Sequence, residues 1–209
     1  MHDPSGSQWR KWDLHVHTPA SLFHRYPGDE KTNWENFLKD LEALPPEFKA
    51  IGVNDYIFLD GYKRLKQEQA NGRLKNIPLL LPVIELRLDK FGGSPAHLSK
   101  VNFHIIFSED VDATLIEDQF LRGLWTHYDL TPSYIDLKVT WKAHPTRESL
   151  LELGNLIIAT VPESEQSKFG SALKEGFSNL TFKQDQIIEA LNKPYFKGKH
   201  LFEIGRAHV

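Results

Sequence analysis

Apolar and polar residues alternate through the first ordered-looking stretch, with Trp12, Leu14 and Val16 set against Asp13, His15 and His17. This period of two predicts a strand that delivers both histidines to one side. Thr18-Pro19 ends it, and a polar loop from Ser21 to Lys31 is long enough to cover a site. Thr32 and Glu35 form a capping-box pair, after which Trp34, Phe37, Leu38, Leu41 and Leu44 recur at helical spacing until Pro45-Pro46. Phe48 to Asn54 predicts a short buried strand running into Asp55, and Asp60-Gly61 opens a helix through Tyr62 and Leu65 to Gln69.

The same order then repeats. Leu79 to Leu88 predicts a buried strand, and Val101 to Phe107 another, in which Phe103, Ile105 and Phe107 alternate with His104 and Ile106. Asp112 can cap a helix whose Leu115, Ile116, Phe120 and Leu124 share a face. Further helices are predicted near Thr146 to Leu153 and Lys183 to Leu191, and His200 to Phe202 starts a last strand. Alternating strands and helices imply an α/β fold with a parallel sheet and right-handed crossovers, with functional groups at the strand C-terminal ends. No internal repeat or low-complexity tract suggests a solenoid or long linker.

Composition narrows this picture. A chain of 209 residues supports one sizeable core and is read as one globular domain. A formal charge of -3 gives no broad basic surface to steer nucleic acid, although a local basic groove stays open. With no cysteine, disulfides and thiolate metal sites are excluded, which leaves histidine and carboxylate ligands, and there are ten histidines. No apolar run approaches the roughly 20 residues of a membrane span, and Met1 to Gln8 lacks the pattern of a signal peptide, so the expected compartment is the cytoplasm. The closing Ile204 to Val209 matches the in-frame translation of a common sequencing adapter and is set aside, which puts the expected domain at residues 1–203 of a longer barrel.

The candidate chemistry lies in polar residues placed where core is expected. His15 and His17 stand about 7 Å apart along a strand, close enough for both imidazoles to reach one divalent ion. One core histidine and one exposed histidine would fit the pair equally well. Asp55 ends the second strand, Glu85 sits among Val83, Ile84 and Leu86, and His104 sits inside the next strand. A charged Glu85 would cost several kcal/mol to bury without a cation or a hydrogen-bond network. A metal ion would supply that cation, and so would Arg87, two residues on and sharing its face. His104 also fits a satisfied core histidine.

Asp13-Leu14-His15-Val16-His17-Thr18 resembles the opening motif of the PHP (polymerase and histidinol phosphatase) superfamily, and Asp55, Glu85 and His104 follow in the order of its metal-binding strands. The resemblance covers most of the chain up to Phe202. It is strongest toward a subgroup in which a PHP-like domain precedes a large AAA-like or SMC-like ATPase region, through Gly52-Val53-Asn54-Asp55-Tyr56, Asp60-Gly61-Tyr62, Pro82-Val83-Ile84-Glu85-Leu86-Arg87 and Phe103-His104-Ile105-Ile106-Phe107-Ser108. The resemblance implies a distorted (β/α)7 barrel, incomplete at its C-terminal end, that holds zinc, manganese or iron. It assigns His15, His17, Glu85 and His104 as ligands, and Asp55, at the end of the second strand, joins them as a candidate metal ligand. Arg87 shares Glu85's strand face, which suits it equally to binding the negative charge of a substrate or to supporting Glu85 as a neighbour of the metal ligands. The implied activity is phosphomonoester or phosphodiester hydrolysis by metal-activated water, on a phosphate ester that includes nucleotides and nucleic acids.

Two departures stand out. Tyr56 occupies the position where the second motif carries a histidine, and a neutral phenol is a poor third-metal ligand. The family's late Asp-x-His motif is absent from these 209 residues. A degenerate, non-catalytic PHP domain that binds nucleotide or nucleic-acid ends for an attached ATPase is therefore the alternative. An amidohydrolase also opens with His-x-His, but it would want lysine where Glu85 stands. No Walker-type motif is present, so any ATPase activity would belong to sequence downstream. Of the remaining histidines, His24, in the loop after the first motif, could approach the site but reads first as a solvated loop residue, and His144 reads as a surface turn before the helix at Thr146, while His97 and His127 carry no assignment.

Overall fold

A computed structural model describes residues 9–24, 26–94, 96–130 and 140–206. Met1 to Gln8, read above for a leader, and residues 207–209 of the adapter-like end lie outside the described residues. The chain is α/β. Its larger sheet has the order β1 (Lys11–Val16), β2 (Phe48–Val53), β3 (Leu79–Ser94), β4 (His97–Phe107) and β7 (His200–Arg206). β5 (Thr126–Asp129) and β6 (Thr140–Ala143) form a separate antiparallel pair. The helices are α1 (Glu30–Glu42), α2 (Asp60–Ala70), the short α3 (Ala113–Leu115), α4 (Arg147–Ala159), α5 (Glu163–Gln166), α6 (Ala172–Asn179) and α7 (Gln184–Leu191). α3 runs on through a π turn, Ile116–Phe120, and a 3-10 turn, Leu121–Gly123. Among the described residues the sheet does not close on itself.

β1, β2 and β3 are parallel, as the alternating elements predict: Asp13 pairs with Ile51, Val16 with Val53, and Val53 in turn with Pro82. The expectation of a wholly parallel sheet fails at the next step. β3 and β4 are neighbours joined by only two residues, and so short a connection permits antiparallel pairing alone. Both strands extend beyond their apolar stretches into exposed arms, which is why the hydrophobic pattern shows only their inner halves. The hairpin β5–β6 and the helices α5 and α6 are also absent from the sequence expectation.

The molecule divides into two compact units. One holds the chain through Glu85, together with Ile105–Asp110 and His200–Phe202. Its core joins Trp34, Phe37, Leu38 and Leu41 of α1, Leu65 of α2 and Ala50, Ile51 and Val53 of β2, all buried. Leu81, Val83 and Ile106 form a further apolar cluster with Leu14 and Leu79 against it. Each large side chain so buried contributes roughly 1.5–3 kcal/mol. α1 starts earlier than its sequence pattern suggests. Asp29 caps it by accepting from Thr32 N at 3.0 Å, while Glu35 turns outward to Arg73 instead of closing a capping box.

The other unit holds Leu86–His104, Val111–Lys199 and the chain from Glu203. In it α4 packs closely against α6. Thr146 caps α4 in a reciprocal pair with Ser149. A Cβ at Gly154 would fall 1.7 Å from the Ala172 carbonyl oxygen, and one at Gly176 1.9 Å from that of Leu150. The two glycines let the helix backbones meet where any side chain would part them.

Candidate metal centre

β1 places His15 one residue from its end and His17 just past it, so the period of two survives into the turn. Their Nε2 atoms are 3.2 Å apart, with the rings edge to face. Asn54 N continues the β1–β2 pairing by donating to Val16 O at 2.9 Å, which sets the Asn54 side chain beside them. Its Nδ2 donates to Glu85 Oε2 at 2.9 Å and lies 3.1 Å from His15 Nε2. Glu85 is reached because β3 runs on three residues past Pro82, the last position paired with β2. The carboxylate is thus carried beyond the end of β2 into the zone of the histidines.

His104 immediately precedes Ile105 on β4, the strand beside β3. One ligand atom each from His15, Glu85 and His104 lies within 4.8 Å of the other two. Glu85 and His104 are buried and His15 is exposed, so this group has one open side. Two imidazoles and a carboxylate match the donor set of zinc, manganese or iron. The buried carboxylate, whose charge is costly in an apolar strand, gives an independent reason for a cation there. The group could therefore hold a metal ion.

His17 meets His15 but stands outside that three-residue group. Burial, foremost, and the neighbouring His15 push its pKa below the ordinary imidazole value, which keeps it neutral near pH 7 and leaves a lone pair available. Its ring stacks on Tyr56 at 5.1 Å and on His24 at 5.9 Å between centroids. Tyr56 has φ 64°, a left-handed conformation costly for a bulky residue. It is held there by Asn54 Oδ1, which accepts from Tyr56 N, and by Glu85 N, which donates to Tyr56 O.

Asp55 faces elsewhere. Its two carboxylate oxygens accept from Thr18 N at 2.8 Å and Thr18 Oγ1 at 2.6 Å, pinning the turn that follows His17. Burial raises its pKa to about 6 against the opposing effect of those two hydrogen bonds. Arg87 donates from Nη1 to Ser178 O at 3.1 Å and lies over the Phe177 ring. His24 is exposed, as a loop residue should be, yet it stacks on His17 and meets the Tyr26 ring at a tilt of 60°. His144 Nδ1 donates to Leu124 O at 2.9 Å, and the ring packs on Trp125.

Sequence reasoning missed Asn54, the residue that ties His15 to Glu85. Its signal is an amide at the end of an apolar strand, next to Asp55. Tyr26 was missed too; its hydroxyl donates to His17 O at 2.8 Å and fixes the loop over the turn. No family model, curated protein or solved structure matches the chain.

Proposed function

We propose that this chain is the N-terminal, metal-binding part of a PHP-like phosphoesterase. On this proposal the sheet belongs to a distorted (β/α)7 barrel completed by further chain and linked to an ATPase region. The observation that supports it most is the convergence of His15, Glu85 and His104 within 4.8 Å, on the three strands where the family resemblance places ligands.

A divalent ion held by these residues would supply Lewis acidity toward a phosphate oxygen and acidify water at neutral pH. His15 and His104 would bind as neutral imidazoles and Glu85 as carboxylate. Asn54 would orient both His15 and Glu85 from behind, as partners of metal ligands commonly do. His17 supplies a further imidazole beside the group, and Asp55, through Thr18, fixes the turn that holds it. Arg87, two residues beyond Glu85 and donating one N–H to Ser178 O, would be the cation that meets the substrate's negative charge.

The test is hydrolysis of aryl phosphate monoesters and diesters, nucleotides and single-stranded DNA with manganese or zinc. Turnover should be metal-dependent and fall by about 100-fold or more in His15→Ala and Glu85→Gln. Turnover that persists in both variants, or in chelator, would count against the proposal. Tyr56 favours a second reading. Its ring stacks on His17 instead of offering a nitrogen, as in a domain that binds nucleotide or nucleic-acid ends without hydrolysis. Metal and nucleotide binding with no turnover by the intact protein would select that reading.

A further inference from the structure

His24 is an exposed loop residue, yet other rings fix its place. It stacks on His17 with 12° between the ring planes and 5.9 Å between centroids, and it meets the Tyr26 ring at 5.0 Å. Tyr26 is itself anchored twice. Its hydroxyl donates to His17 O at 2.8 Å, and its ring packs edge to face on Phe37 of α1, which is buried in the core. His17 stacks on Tyr56 as well, and Phe23 meets Tyr56 edge to face at 5.1 Å. Phe23, Tyr56, His17 and His24 thus form a continuous aromatic wall that ends in the exposed ring of His24.

Holding an exposed side chain in one place costs rotamer freedom. What the wall gains is a flat π face fixed before any ligand arrives, so that little ordering remains to oppose binding. The wall begins at the metal group: His17 Nε2 is 3.2 Å from His15 Nε2, and His15 is the exposed member of that group. An ester whose phosphate is taken up on this open side has its organic group left to meet the wall. We propose that His24 is a specificity-determining residue of the metal site, stacking on a planar aromatic group carried by the phosphate ester. This assignment rests on the phosphoesterase function proposed above and narrows its substrates to aromatic phosphate esters over aliphatic ones.

Calorimetric titration of the manganese-loaded chain with benzylphosphonate and cyclohexylmethylphosphonate tests this. Neither is hydrolysed, and the two differ in the flatness of one ring. The cyclohexyl group is the more apolar, so burial alone favours it, whereas stacking favours the benzyl group. Benzylphosphonate should bind about 5-fold more tightly or better. In folded His24→Ala the two affinities should come within about 2-fold of each other, while His24→Phe should keep the preference. Equal affinities in the parent overturn the proposal and leave the metal-bound phosphate standing. An undiminished preference in His24→Ala, or a loss of both ligands by the same factor, also overturns it, the latter because His24 would then be serving the metal group. Binding of neither ligand by the parent rejects the phosphoesterase function, and the aromatic specificity with it.

Discussion

Two regions of the molecule, the polar cluster where β1 and β2 end and the α4–α6 helix pair, use their interiors in opposite ways. In the first, Thr18, Asn54, Asp55 and Glu85 are buried polar side chains, and Tyr56 adopts a backbone conformation that bulky residues avoid. In the second, the α4–α6 contact buries Leu150, Leu153, Ile157 and Phe177 around two glycines that bring backbone to backbone. The helix pair is accounted for by packing alone. The polar cluster is not, since an apolar interior of the same shape would be at least as stable. A region that forgoes stability in this way is where a ligand is expected.

That contrast can be broken at the helix pair first. Gly154→Ala places a methyl group against the Ala172 carbonyl, so the helices must separate, at a cost of about 3 kcal/mol despite the better helix propensity of alanine. Urea unfolding measures it; a variant as stable as the parent would mean that the close approach is absent. In the first unit the sign reverses. Glu85→Gln removes a buried charge and keeps a hydrogen-bonding group, so the chelated protein should gain about 1 kcal/mol or more while losing metal-induced stabilisation. A destabilised Glu85→Gln in chelator would show that the carboxylate serves the fold.

The smallest effect belongs to charge at the surface of the same unit. Arg73 hydrogen-bonds Glu35 and Glu42, and these bonds, foremost, hold both carboxyls below their ordinary range. A depressed folded pKa contributes stability above the unfolded value, near 4.5, that is lost as pH falls through the folded one. The stability difference between the parent and Arg73→Met should therefore shrink between neutral pH and pH values below about 4. A difference independent of pH would assign the effect to packing of the arginine stem.

Much of this was legible in the sequence, for identifiable reasons. His15 and His17 show in a period of two, and Glu85 and His104 show because each interrupts an apolar run. The parallel β1–β2–β3 pairing follows from the alternation of elements. The β3–β4 hairpin was hidden because its outer arms, around Asp89, Lys90, Ser99 and Lys100, are polar and carry no one-sided pattern. Asn54 was hidden because its role lies in a contact with Glu85, 31 residues away. The stacking of His24 on His17 depends on the path of a loop, and the notch between α4 and α6 on two glycines from separate helices. Local periodicity reports which face is buried, and long-range side-chain contacts leave no such trace. For the helix start, Asp29 outcompetes Thr32 because its carboxylate can reach the Thr32 N–H from an extended residue before the helix.

The central claim is that His15, Glu85 and His104 form a metal site. Elemental analysis of the chain after loading with zinc or manganese and exhaustive dialysis tests it most directly. At least one ion per chain should be retained, and both Glu85→Gln and His104→Ala, folded by circular dichroism, should lose it. A parent chain that retains no metal, or variants that retain as much as the parent, would contradict the account.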